Sequence, residues 1–362
     1  MQLNQEQQRR LGAIGWRDAP AAVAQADDAS CVVRVIAQHR NGYRVHDGAG
    51  EFPAQPAPRF LRRGFDAEQR PAVGDFVLAD PGSPLLIRDV LPRRSALTRA
   101  AAGERYQRQV IATNIDHVFV LMGLDGDFNP RRIERYLALI QGSGAQPLIV
   151  LTKRDKVDDA AFAAMADGVR ESLPAHVLLF GINAKDAASV APLLEFLQHG
   201  DTAVLVGSSG AGKSTLTNTL LGVERQATNT VRANDSRGRH TTTHRALIAL
   251  PSGGCLIDTP GMRELKLKGE EDLASSGFAD IESLAMQCRF GDCAHGNEPG
   301  CAVRAALESG ALEPARWENF VKLRGELAAT NETLEAQLRR KAQGRVANKA
   351  LNKRIVEKYR FP

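Results

Sequence analysis

The stretch "VLVGSSGAGKST", Val204 to Thr215, decides how this chain is read. Gly207, Gly212, Lys213 and Ser214 stand at the spacing G-x-x-x-x-G-K-[ST]. Glycines there let the backbone curl until successive N–H groups face phosphate oxygens. Ser208, Ser209, Gly210 and Ala211 form the body of the loop, and Thr215 follows it. Lys213 would neutralise the outer phosphates, and the Ser214 hydroxyl would ligate Mg²⁺. An apolar strand runs in and a helix-like segment, "STLTNTLL", runs out, so a helix dipole adds to the anion site. The bland alternative, a chance glycine-rich turn, does not need both flanks.

A phosphate loop alone does not choose between ATP and GTP. The choice lies upstream in "LIVLTKRD", Leu148 to Asp155. An apolar strand ends in Thr152, Lys153, Arg154 and Asp155, which resembles the Asn-Lys-x-Asp motif of GTPases with threonine for asparagine. Asp155 can accept two hydrogen bonds from guanine N1 and N2, a donor pair adenine lacks, and the Lys153 stem can lie over the base. Next, "FGINAKD" sets Asn183, Ala184 and Lys185 after another apolar strand, like the Ser-Ala-Lys loop that backs guanine.

Downstream, Asp258 ends the strand "CLI" in "DTPG". Its carboxylate suits Mg²⁺ through water, and the Gly261 N–H suits the γ-phosphate. Between lies the polar "NDSRGRHTTTHRA", with Thr241, Thr242 and Thr243. One threonine there would complete the Mg²⁺ shell in the GTP state, as switch loops do. Thr241 is the residue we assign, although spacing alone does not choose. Many GTPases follow this glycine with a glutamine that orients water, whereas here the position is Met262. His240 is the local replacement, against the plainer reading of an exposed loop histidine.

The motif order is therefore guanine motif, backing loop, phosphate loop, switch, DTPG. This is a rotation of the common order, open to a domain whose ends lie at the surface. The runs "HVFVLM", "QPLIVL", "HVLLF", "TAVLVG" and "GCLID" alternate with helical segments, which predicts a parallel sheet covered on both faces.

Before it, "CVVRVIAQH", "YRVHD", "GDFVLAD" and "PLLIRDVLP" are short strands with turn signals, among them Asn41-Gly42, and predict a small OB-type barrel. After it, Cys288, Cys293, His295 and Cys301 give C-x₄-C-x-H-x₅-C. Three thiolates and an imidazole suit one closed, structural Zn²⁺. Cys31 and Cys255 read as core residues. The fold expected is multidomain α+β: an arm over 1–29, an OB-type barrel over 30–98, a circularly permuted P-loop GTPase over 105–265, and a helical zinc-binding region over 266–362.

The chain has 362 residues, 47 Lys and Arg against 42 acids, a net +5. The stretch Arg339–Pro362 holds nine of those bases and one acid, Glu357. That concentration points to a polyanion rather than a membrane. No apolar run approaches the roughly 20 residues of a span, and "MQLNQEQQRRLG" lacks a signal-peptide core. A cytoplasmic monomer is expected.

Taken together, "TKRD" before "GSSGAGKST", "GRHTTTH", "DTPGMREL", the barrel and the cysteine knuckle closely resemble the bacterial ribosome small-subunit-dependent GTPase A family, over about residues 30–362. The resemblance implies a late assembly factor that binds the small ribosomal subunit and its rRNA. It implies GTP hydrolysis to GDP that is slow alone and stimulated by the subunit, with the switch histidine proposed as catalytic. The alternatives from other classes are a P-loop ATPase or kinase, and an RNA-binding scaffold whose nucleotide is structural.

Overall fold

Strand β1 (Cys31–His39) is buried on both faces from Val32 to Ile36, and four of those five residues are apolar. Val33 and Val35 turn into a barrel core with Val45, Val77 and Ile87. Val32 turns outward onto Leu11, Trp16 and Phe76. The computed structural model describes residues 3–17, 23, 29–39, 41–62, 64–100, 108–222, 246–258 and 277–328. The predicted sites His240, Thr241 and Gly261, and the basic tail, lie outside the described residues.

β1 pairs with β2 (Gly42–His46), and β2 with β3 (Glu51–Pro56). β3 runs parallel to β5 (Leu85–Val90), β5 pairs with β4 (Phe76–Asp80), and β4 returns to β1. The five strands therefore close on themselves, which removes the exposed edges of an open sheet. The sequence predicts an arm without regular structure over 1–29. The structure instead forms helix α1 (Gln5–Gly12) there, started by a capping box between Asn4 and Gln7. Leu11, Ile14 and Trp16 carry this stretch onto the barrel wall, and the Trp16 ring meets Phe76 edge-on at 4.9 Å. A short apolar patch spread over a polar helix gives little period to read, so the packing was hidden.

A hairpin of β6 (Ala96–Ala100) and β7 (Arg108–Thr113) leads into the second sheet. That sheet contains β8 (His117–Gly123), β9 (Gln146–Thr152), β10 (Leu178–Gly181), β11 (Thr202–Gly207), β12 (Ala246–Ala249) and β13 (Cys255–Asp258). Their order is β10-β9-β8-β11-β13-β12. The first five are parallel, as predicted, but β12 is antiparallel to β13. The tight turn closed by the 2.8 Å bond from Leu250 N to Gly254 O leaves no room for a crossover. Across its other edge, β12 meets β1 at Ala37–Ala246, so barrel and second sheet form one continuous surface.

Side chains of the central strands alternate between two cores. Val118, Val120 and Met122 face α2 (Pro130–Ile140) and α3 (Asp159–Arg170). Phe119 and Leu121 face Leu216 and Leu220 of α4 (Lys213–Leu220). The C-terminal elements α5 (Ala279–Met286), α6 (Ala302–Ser309) and the helical residues 314–328 join the first core through Phe278, Ile281, Val303 and Phe320. Ion pairs reinforce this seam. Arg316 binds Glu134 and Asp280, and Arg135 grips both carboxylate oxygens of Glu326 at 3.0 and 2.7 Å.

The barrel-to-sheet junction is polar at its centre. Arg34 of β1 is fully buried, and burial pulls its guanidinium down to about 10. It donates to Gly74 O (3.1 Å), Asn114 O (3.1 Å), Thr202 Oγ1 (3.0 Å) and Ile14 O. Its fork thus joins the barrel, α1's exit, the entry to β8 and the start of β11.

Candidate nucleotide site and metal centre

The carboxyl ends of β8, β9 and β11 share one edge, with Gly123 beside Thr152 and Gly207 beside Leu121. The helix after β8 covers one face and the helix after β11 the other. The crevice between β8 and β11 is therefore a topological switch point, where open α/β sheets bind ligands. The phosphate loop fills it. Gly207 has φ 147°, and a Cβ there would sit 2.4 Å from Leu121 O, so only glycine fits. Gly212, φ 94°, caps α4 without a side chain to occupy its N–H groups. The Lys213 ammonium folds back onto Gly207 O (2.7 Å) and Ser208 O (2.6 Å). Burial lowers its pKa, opposed by the charge of Asp258. An anionic phosphate offers this ammonium a stronger acceptor than either carbonyl. Ser209, Gly210 and Ser214 are exposed at the mouth of the loop, and Thr215 is half-buried beside them.

The upstream motif reaches the same place. The Thr152 hydroxyl, fully buried, donates to Ala211 O of the phosphate loop at 2.8 Å. Lys153 takes the left-handed conformation at φ 61°, with its ammonium paired to Asp125. Gly123 makes room for it, since a Cβ there would lie 3.3 Å from Lys153 Cε. Asp155 is exposed in the helical turn Arg154–Lys156. The Arg154 side chain is taken up by the fold: its guanidinium lies over the Phe162 ring at 4.5 Å and donates to Val157 O.

The backing loop is held from two sides. Asn183 Oδ1 accepts from Lys185 N at 3.1 Å, the Asn183 N–H donates to Ser189 Oγ, and Thr219 Oγ1 of α4 donates to Ala184 O at 2.7 Å. Two acids were not anticipated from the sequence. Asp127 accepts from Ser208 Oγ and from Arg132 at 2.7 Å, contacts that hold its carboxyl below the usual range, Arg132 contributing most. Asp125 is lowered chiefly by its bond to Lys153. The signal was present in "GLDGDFNP", acids directly beyond a central strand, where such sheets place their sites.

The cysteine cluster assembles as its spacing suggests. One ligand atom from each of Cys288, Cys293, His295 and Cys301 lies within 4.8 Å of the others. Cys288 Sγ is 3.5 Å from His295 Nδ1 and 3.9 Å from Cys301 Sγ, and Cys301 Sγ is 3.6 Å from His295 Nδ1. Ligands about 2.0–2.3 Å from a tetrahedral centre stand roughly 3.5–3.8 Å apart, so this donor set fits a metal ion. Trp317 closes the site edge-on to His295 at 5.5 Å. Cys255 is fully buried and Cys31 half-buried, both away from the cluster.

A phosphate loop at a switch point, bound to a guanine-type strand that precedes it in the chain, defines a circularly permuted P-loop GTPase with an OB-type barrel in front and a helical metal-cluster region behind. Comparisons with known proteins carry this further. Residues 90–268 match the family model described as RsgA GTPase. The chain is 54% identical over 348 residues, 94% of each chain, to the Small ribosomal subunit biogenesis GTPase RsgA of Xanthomonas axonopodis pv. citri (strain 306). It has the same identity and coverage with that of Xanthomonas campestris pv. campestris (strain B100). The crystal structure of YjeQ from Thermotoga maritima superposes with a TM-score of 0.59 at 25% identity, covering 83% of this chain and 99% of that one. YloQ, described as a circularly permuted GTPase, shares the fold with a TM-score of 0.57 at 21% identity, over 84% of this chain and 96% of its own. The chain belongs to the RsgA GTPase family and is a GTP hydrolase. Among the described residues no helix is long and apolar enough to cross a membrane.

Proposed function

We propose that this GTPase is a late assembly factor of the small ribosomal subunit, in the cytoplasm and as a monomer, whose hydrolysis the subunit accelerates. The reading rests on its 54% identity, over 94% of the chain, to proteins named for small ribosomal subunit biogenesis. The barrel and the basic stretch Arg339–Pro362 supply the surface for rRNA phosphates, so binding falls steeply with salt.

Asp155 and Lys153 read the guanine, backed by Asn183, Ala184 and Lys185, while Gly207–Thr215 wraps the phosphates. Ser214, Asp258 and a switch threonine, taken as Thr241, would hold Mg²⁺, which screens phosphate charge when bound. The fold-engaged Arg154 contributes by fixing this turn. Gly261 offers its N–H to the γ-phosphate, and His240 orients water once the subunit orders the switch segment. Cys288, Cys293, His295 and Cys301 hold zinc as a structural ion.

The test is GTP turnover with and without purified small subunits. A rise of about 10³-fold or more is what activation in trans delivers. A flat rate would overturn subunit activation in favour of a scaffold whose nucleotide is structural. His240→Ala should abolish the stimulated rate and leave GTP affinity intact.

A further inference from the structure

We propose that the seam between α2 and the helical residues 314–328 is a groove for the phosphodiester backbone of RNA. This rests on the ribosomal reading above for its choice of polyanion. The groove encloses about 440 Å³ and is lined by Arg131, Arg132 and Arg135 on one wall and Glu318, Asn319 and Lys322 on the other. Four cations thus face one carboxylate. Arg132 and Arg135 are held from outside by Asp127 and Glu326. Arg131 and Lys322 are exposed and, among the described residues, form no ion pair.

The placement breaks a local rule. Arg131 and Arg132 occupy the first turn of α2, at the positive end of its dipole. That turn contains no acid, and the Asn129 side chain does not cap it. Cations there are disfavoured; Asp127 compensates Arg132, but among the described residues no acid compensates Arg131, and a rule broken without local compensation marks a functional site. An anion in the groove compensates Arg131 and the helix N–H groups that no side chain caps. The occupant is extended rather than a single small ion. Arg131 and Arg135 are one turn apart, ~6 Å along the helix, on the scale of neighbouring phosphates of a strand, and Lys322 opposes them. Asp127, which binds both Arg132 and Ser208, connects the groove to the phosphate loop.

The experiment is the double variant Arg131→Ala with Lys322→Ala. Its binding to purified small subunits and to a short RNA hairpin is followed from about 50 to 200 mM salt. Neither side chain belongs to the nucleotide site, so basal GTP turnover and metal content should match the parent. We expect affinity for both probes to fall about tenfold and the salt slope to shrink by about 1.4–1.8, two phosphate contacts' worth. Unchanged affinities and slopes would overturn the groove. A loss with subunits but not with the hairpin would overturn RNA as occupant in favour of an acidic protein surface. Displacement of the hairpin by low-millimolar inorganic phosphate would overturn it in favour of a small-anion site. Failure of the parent to bind subunits, with hairpin binding still lost in the variant, would sink the ribosomal reading and uphold the groove.

Discussion

The hydroxyl of Thr152 donates a 2.8 Å hydrogen bond to the carbonyl oxygen of Ala211, across 59 residues of chain. It ties the Thr-Lys-Arg-Asp end of β9 to the phosphate loop, so the proposed base site and the phosphate site are held together at this contact. Threonine at this position, where GTPase motifs usually show asparagine, meets that need with a shorter side chain.

Thr152→Val keeps the shape and removes the donor. Ala211 O is then left buried and unpaired, at a cost of about 1–2 kcal/mol. GDP affinity, measured by titration calorimetry, should fall about tenfold. A variant that melts earlier yet binds GDP as before would reduce the bond to a structural one.

Asp155→Asn should exchange base preference. The amide can accept one hydrogen bond from guanine but presents an N–H to the 2-amino group. Losing a charge-assisted pair costs roughly 3 kcal/mol, about 10²-fold in GTP affinity. Xanthosine triphosphate, with an oxygen at that ring position, should gain. Equal binding of both by the variant would remove Asp155 from the base site.

Arg34→Met removes the only fork that serves Gly74 O, Asn114 O, Ile14 O and Thr202 Oγ1 together among the described contacts. The methionine fills much of the volume but leaves these acceptors dry. A loss of about 2–4 kcal/mol follows, read as a lower urea midpoint. The single unfolding transition should split, because the barrel and the GTPase sheet lose their shared anchor.

Arg316→Ala leaves Glu134, 4% exposed, with Asn319 as its remaining partner among the described residues. Burial already pushes the Glu134 carboxyl above its usual range, against the pull of Arg316. Removing the cation should cost about 3–5 kcal/mol and loosen the C-terminal seam, seen as early protease cleavage after residue 277. Glu134→Gln together with Arg316→Met should recover most of the loss.

Cys301→Ser deletes a proposed metal ligand but keeps a side chain that can cap α6 in place of Cys301 Sγ, which accepts from Arg304 N at 3.4 Å, so the loss reports on the metal rather than on the cap. Bound zinc, assayed by release to a chromophoric chelator, should drop from one equivalent per chain to none. Stability should fall by more than about 3 kcal/mol, because structural zinc contributes on the order of 10 kcal/mol in small metal modules. Retention of zinc in the variant would exclude the four-ligand site.

The motifs were legible because their chemistry is local. A loop that wraps phosphate needs Gly207, Gly212 and Lys213 at fixed spacing wherever it sits, and four metal ligands within 14 residues announce themselves without a fold. The two sheet types were legible from period and turn residues. Closure of the barrel was not, because the β4–β1 pairing joins strands about 45 residues apart in the chain and leaves no pattern of its own. The docking of α1 through Leu11, Ile14 and Trp16 and the role of Glu134 were hidden for the same reason. Each is an acid or an apolar residue of ordinary type whose partner lies in another element.

Sequence alone thus determined the class of chemistry, guanine nucleotide and clustered metal ligands, and the rotated order of the motifs. Only the tertiary structure decided how the parts are joined: Thr152 to the phosphate loop, Arg34 across the barrel junction, and Glu134 and Arg135 to the helical residues 314–328. Spacing along a chain encodes contacts within one loop or helix. Buried charges and hydroxyls are satisfied by whatever folding brings alongside, and that is settled by packing.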